Sequence, residues 1–248
     1  MKKLTAIILA CVLTLTLAAC GGGVSQAEYD RLQRALDRLQ DELDSLSGGN
    51  TPSGGESSFS VSANVGDIIQ FGGYDWRVLE VKDGKALILS DKILTIRPYH
   101  PSSITWAESE LREYLNSAFI EDTFTSEEKT RIAEIRLENQ SNQWYGTAGG
   151  IQTIDRVFLL SMEEVVKHFG DSGQLRDRPG NANVIDDEYN LARIAYTTDG
   201  TASWWWLRSP GCYGTDAASV LHDGRVDVTG LDVRSDDGGV RPALWLNL

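Results

Sequence analysis

WWWLRSPGCYGTDAASVLHDGRVDVTGLDVRSDDGGVRPALWLNL, residues 204–248, is the stretch on which the fold class turns. Its apolar residues come in short alternating runs interrupted by glycine, the pattern of strands joined by tight turns. Asp223-Gly224 suits a two-residue turn that needs positive φ, so the spacing predicts a hairpin pairing His222 with Arg225 and Val220 with Asp227. Leu221, Val226 and Val228 then face inward, and His222, Arg225 and Asp227 project together from the other face. Alternation also separates Trp205 from Trp204 and Trp206, so at least one of the three belongs to the core.

Upstream, strands and helices mix. Residues 67–79 (DIIQFGGYDWRVL) and 85–89 read as strands, with Lys82-Asp83-Gly84 as the hairpin turn between the two. Thr105 with Glu108, and Ser161 with Glu164, match capping-box spacing, in which a hydroxyl and a carboxylate satisfy the first free N–H groups of a helix. The first helix carries Leu111, Tyr114, Leu115 and Ala118 on one face, and the second carries Val165 and Phe169. The fold class is therefore α+β, with two or more helices and a β-rich C-terminal half.

The chain before this domain divides cleanly. Residues 1–19 place Lys2 and Lys3 before the uncharged run LTAIILACVLTLTL, which is the layout of a signal peptide. That run is too short for a permanent span, which needs roughly 20 apolar residues. Residues 20–27 are a glycine-rich tether. In residues 28–46 the apolar positions Tyr29, Leu32, Leu36, Leu39, Leu43 and Leu46 alternate by three and four, a heptad seam that predicts a short coiled-coil stalk. Self-association through that stalk is one expected partnership, because anchoring raises local concentration. Residues 47–60 form a Gly/Ser linker and residues 61–248 the independent domain.

Leu17-Ala18-Ala19-Cys20-Gly21 resembles the lipobox of bacterial lipoproteins. The resemblance implies that Cys20 is lipidated, becomes the mature N-terminus, and anchors the chain to the cell membrane or outer membrane, outside the cytoplasm. Two or three acyl chains such as palmitate hold a protein durably, where one holds it marginally.

The formal net charge of −13 excludes sequence-independent binding of nucleic acid or anionic lipid, both of which require cations to meet phosphates. Of three cysteines, Cys11 leaves with the signal and Cys20 is lipidated, so Cys212 stands alone and reads as a small buried residue. His100, His168 and His222 lie far apart without ligand spacing, and His168 ends the second helix, where a cation suits the macrodipole. Asp216, Asp223, Asp227, Asp232, Asp236 and Asp237 match no EF-hand loop and read as solvated turn acids. There is no Gly-x-Ser-x-Gly elbow. No catalytic residue, metal site or cofactor is expected, and the chain does not read as an enzyme.

Four segments carry a wider resemblance: Gly66-Asp67 with Phe71-Gly72-Gly73-Tyr74-Asp75-Trp76-Arg77-Val78-Leu79, Leu89-Ser90-Asp91-Lys92, Trp204 through Gly211, and Gly239 through Leu246. Together they are similar to a bacterial extracellular domain of unknown function, common in lipoproteins and surface proteins. The ending also resembles the C-type-lectin-like fold of formylglycine-generating enzymes and retroelement variable proteins. That resemblance implies that the terminal strands pair, here Ile68 to Leu79 with Val240 to Leu246, while an inserted β-rich region carries a ligand surface. The oxidase activity of the first group needs two cysteines, and Cys212 is alone.

The expected function is a membrane-anchored extracytoplasmic binding module, adhesin-like or receptor-like, for a protein or glycan ligand. Its surface would comprise Tyr213, Thr215, Asp216, His222, Arg225, Asp227, Asp232, Arg234 and Asp236, polar types suited to adaptable recognition. Two alternatives stand beside it: a retroelement-diversified binding protein, against which the absence of Asn between Trp204 and Arg241 counts, and a structural envelope lipoprotein.

Overall fold

Two glycines break the apolar run 67–79, which the alternation predicts as one strand, into a hairpin. In a computed structural model describing residues 63–103 and 105–248, β1 (Ile68–Phe71) and β2 (Tyr74–Lys82) pair antiparallel across Gly72 and Gly73, at φ 56° and 75°. Both angles are left-handed, a conformation that costs glycine little. Asp83 and Gly84, at φ 50° and 70°, make the expected turn into β3 (Lys85–Ser90). The signal segment, Cys20, the stalk and the linker lie outside the described residues.

A short strand β4 (Thr95–Ile96) precedes the helical stretch. Here the predicted first cap moves. Residues Trp106–Glu108 form a 3-10 turn, and Thr105 makes no side-chain cap bond. Helix α1 (Glu110–Asn116) begins instead at Ser109, whose Oγ accepts from Arg112 N–H. The cause is Trp106, which is buried and donates its indole N–H to the equally buried Asp155 at 3.0 Å. Helices α2 (Ala118–Thr123) and α3 (Ser126–Arg131) follow, the latter opened by a full capping box of Thr125 and Glu128. Leu111 and Leu115 of α1 are buried, Tyr114 is partly so, and Ala118 is exposed at the start of α2 rather than on the α1 face.

Beyond β5 (Ile135–Leu137), β6 (Thr153–Asp155) and β7 (Val157–Phe158) lies α4 (Met162–Phe169). Its capping box is the expected one, Ser161 accepting from Glu164 N–H while the Glu164 carboxylate accepts from Ser161 N–H. Then come β8 (Val184–Ile185), α5 (Asn190–Arg193), β9 (Ala195–Tyr196), β10 (Ala202–Ser203), β11 (Trp205–Pro210), β12 (Asp216–Val220), β13 (Val226–Asp232), β14 (Gly239–Val240) and β15 (Ala243–Asn247). The fold is α+β.

Five strands form an antiparallel sheet in the order β1-β2-β3-β15-β7, and six form a second sheet, β4-β14-β11-β12-β13-β8. The last strand therefore does not pair with residues 68–79, as the resemblance implies. β15 pairs with β3, Ala243 opposite Leu89 and Asn247 opposite Lys85, because β2 already has β1 on one edge and β3 on the other. Nor does Val240 belong to that strand. It lies in β14, beside β11 and β4 of the second sheet. Pro242 separates β14 from β15: proline has no N–H to continue a ladder. Its carbonyl accepts from Ser90 N–H at 2.9 Å while Val240's accepts from Leu94 N–H, so the nine residues 239–247 tie both sheets together.

Trp205 and Trp206, on opposite faces of β11, are both fully buried, so both faces of this strand are covered. Trp204 is half-exposed and meets Trp206 edge-on at 4.6 Å. Arg241 is buried without a carboxylate on its guanidinium. It donates to the carbonyls of Ser90 at 2.8 Å and Asp91 at 3.3 Å and lies 5.1 Å from the Trp205 ring, and burial pushes its pKa down to about 10. Among the described residues, no helix is long and apolar enough to cross a membrane.

Candidate functional site

The β12–β13 ribbon forms, but in a different register from the one predicted. Val220 pairs with Val226 and Ser219 with Asp227, one step from the expected alignment. Leu221 N–H donates to Arg225 O and Gly224 N–H to Leu221 O, leaving His222-Asp223-Gly224 as a three-residue loop with Gly224 at φ 87°. A type I turn closed by a left-handed glycine accommodates that third residue, which is why the two-residue assignment fails. At the far end Asp216 opposes Asp232, and a bulge with Gly230 at φ 82° absorbs the mismatch.

The length of the ribbon divides the predicted surface. His222 and Arg225 sit at the turn, where Arg225 is held by Asp223 at 2.8 Å and His222 is exposed. Tyr213, Thr215, Asp216, Asp232, Arg234 and Asp236 gather at the opposite end of the ribbon, where Asp216 is about 13 Å from Val220 at roughly 3.3 Å per strand residue. Asp227 lies between them. Arg225 and Asp227 share the face opposite the buried Val226 and Val228, as expected, whereas His222 lies in the loop and not in a strand pair with Arg225.

At the far end Tyr213 is 70% exposed, and Thr215 O accepts from Val233 N–H. Arg234 pairs with Asp232 through Nε at 2.9 Å and Nη2 at 2.5 Å, and these bonds hold the Asp232 carboxyl down at about 2. Asp227 behaves oppositely. Burial pushes its pKa up although its carboxylate accepts from Gly230 N–H. Cys212 is half-exposed rather than buried, and its thiol donates to Asp216 at 3.5 Å. Burial first and the Asp216 carboxylate second raise its pKa, so it stays a thiol at neutral pH.

Beside this strip the structure places residues that sequence reasoning passed over. The loop SNQWYGTAGG, residues 141–150, is pinned by Asn142, 1% exposed, whose Nδ2 donates to the carbonyls of Pro210, Gly211 and Val228 while its Oδ1 accepts from Trp144 and Tyr145 N–H. So fixed, Trp144 and Tyr145 flank Arg178, whose guanidinium lies 5.0 Å from the first ring and 4.6 Å from the second. Arg178 Nη2 donates to Tyr145 Oη at 2.8 Å, and that hydroxyl also contacts Asn183 Oδ1 at 3.1 Å and Thr229 Oγ1 at 3.2 Å. Cys212 N–H donates to Thr229 O, which joins this cluster to the Asp216–Asp227 strip. The available signal was an aromatic pair inside a glycine-punctuated polar loop, where a core role is hard to provide.

His168 is corrected as well. Its side chain, 5% exposed, lies 3.7 Å from Glu80, and burial pushes the imidazole pKa down, so it packs against β2 instead of serving as a solvated cation. Among the described residues, no group of three or more His, Cys, Asp or Glu side chains is placed to hold a metal ion.

Residues 83–248 match the model of a domain of unknown function, DUF6273, and no enzyme family is found. Neither curated proteins nor solved structures give a match.

Proposed function

The chain belongs to the DUF6273 family, and from that premise we propose that it is a lipid-anchored, extracytoplasmic binding module. The observation that carries the reading is the part-exposed cluster of Trp144, Tyr145 and Arg178 bordering Asp216 and Asp227. Tyr, Trp and Arg dominate the energetics of protein interfaces, and here a buried amide and a ring-stacked guanidinium hold them in place before any partner arrives. The surrounding acids, with a formal charge of −13 over the chain, suit a partner with a basic face. A C-type-lectin-like fold is consistent with a first hairpin and a last strand that share one sheet around an inserted β-rich region. The Leu17–Gly21 lipobox supports anchoring at Cys20, and the heptad seam of residues 28–46 supports a stalk that holds the domain clear of the membrane.

Two measurements test this. Cells fed an alkyne fatty acid should label the wild-type chain and not Cys20→Ser; equal labelling ends the anchoring claim. The detergent-solubilised chain, applied to an array of cell-surface and matrix proteins, should retain basic partners, more weakly as salt rises. Tyr145→Ala and Arg178→Ala should each reduce retention about tenfold or more. Retention unaffected by either substitution removes this surface as the binding site.

A further inference from the structure

The chain has seven tryptophans, and six donate their indole N–H within the fold: Trp76 to Phe71 O, Trp106 to Asp155, Trp144 to Leu175 O, Trp204 to Asp237, Trp205 to Arg193 O and Trp206 to Arg97 O. Trp245 has no such partner among the described residues. It is half-exposed at the middle of β15, on the face of the sheet opposite Leu244 and Leu246, and it lines a cleft of about 300 Å³ with Glu138, Gln140, Glu163, Glu164 and Arg208. Partly buried indoles ordinarily find an acceptor. This one borders a polar cleft and meets no protein acceptor among the described residues.

The cleft is built rather than incidental. Arg208, its side chain 5% exposed, holds Glu164 in a two-pronged ion pair and donates to Leu159 O, while its Nε–H is buried without a partner among the described residues. Glu164 also closes the α4 capping box, so its position is set from two directions. Glu163 accepts from Gln143 Nε2 at 3.0 Å and Glu138 from Gln152, which orients both carboxylates and leaves each further acceptor capacity. The free groups are then one indole N–H on an aromatic plane, the Gln140 amide, the remaining N–H groups of Arg136, whose Nη1 donates to Gln152, and carboxylate oxygens.

We infer that this cleft is a saccharide-binding subsite taking a neutral pyranose against Trp245. A pyranose presents an apolar C–H face to an indole and hydroxyls that both accept and donate. Its hydroxyl oxygens would accept from Trp245 Nε1–H and Gln140, and its O–H groups would donate to Glu138 and Glu163. Arg136 also lines the cleft, and with Glu164 committed to Arg208 the remaining Glu138 and Glu163 leave one net negative charge, which disfavours an acidic sugar. The volume stands at the lower end of small-ligand pockets and suits one ring of a longer chain. The cleft shares no residue with the Tyr145–Arg178 surface and does not depend on that surface binding anything.

The full-length mature chain in detergent, screened against an array of neutral gluco-, manno-, galacto- and N-acetylglucosamine oligosaccharides with uronate oligomers beside them, should retain a neutral oligosaccharide and no uronate. Titrating that oligosaccharide into 15N-labelled protein should move the Trp245 indole resonance, assigned by Trp245→Phe, saturably. Gln140→Ala and Glu163→Gln, both at the surface of the cleft, should weaken binding about tenfold and keep the chain readable if Trp245→Phe does not fold; Tyr145→Ala should bind normally. Failure to retain any neutral oligosaccharide overturns the inference. So does an oligosaccharide that leaves the Trp245 resonance in place, or one whose binding is lost with Tyr145→Ala and kept with Gln140→Ala.

Discussion

The side chains of Arg193 and Asp187 are both fully buried, joined at 2.8 and 3.1 Å by two guanidinium nitrogens, with Gly170 O taking a further bond from Arg193 and Ser172 Oγ donating to Asp187. Burial pushes the Asp187 carboxyl up, and the bonds from Arg193, Ser172 and Tyr189 N–H more than reverse it. Removing one member of such a pair strands the other charge out of water, so Arg193→Met is expected to cost about 3–5 kcal/mol in urea unfolding. The double variant Asp187→Asn, Arg193→Met should recover part of that loss. A single-variant cost below about 1 kcal/mol would sink the ion-pair account. Neither residue stood out in the sequence, because a lone Arg and a lone Asp look alike whether solvated or paired. Trp144 and Tyr145 were hidden for a related reason: their role depends on Arg178, more than thirty residues away.

Short elements show where local rules hold and where contacts override them. The Ser161–Glu164 and Thr105–Glu108 spacings are identical, yet only the first caps a helix. Trp106, buried against Asp155, holds its segment in a 3-10 turn, and the cap passes to Ser109. Ser109→Ala is therefore expected to lower stability by about 1 kcal/mol, whereas Thr105→Ala should cost less than half of that. Equal losses in thermal melts would return the cap to Thr105. The β12–β13 loop obeys the same logic. Asp223-Gly224 marked a turn correctly, but Gly224 packs so closely on α5 that an added Cβ would meet Asn190 O at 1.8 Å, and the strand register is set together with that contact. The one-step change of register places His222 in the loop and turns the faces of β12 relative to β13, while Arg225 and Asp227 keep their common face.

Across the whole molecule the decisive element is the last one. β15 lies inside the five-stranded sheet, bonded to β3 and β7, and Leu244 and Leu246 enter the core. A chain ending at Pro242 is expected not to fold, losing cooperative melting and near-UV circular dichroism, whereas removal of residues 21–58 should leave the melting temperature within about 2 °C of the parent. Cooperative folding of the first truncation would show that β15 is an appendage. The α+β class, the first and last segments as core-forming strands, the Lys82–Gly84 turn and the Ser161 cap were all legible in the sequence, because alternation, glycine and capping act over a few residues. Only the tertiary structure decided that β15 joins β3, that Pro242 shares the C-terminal segment between two sheets, and which surface residues stand together. Those outcomes depend on which sheet edge is free and which side chain is covered, and contacts between residues more than a hundred positions apart leave no periodic trace in the chain.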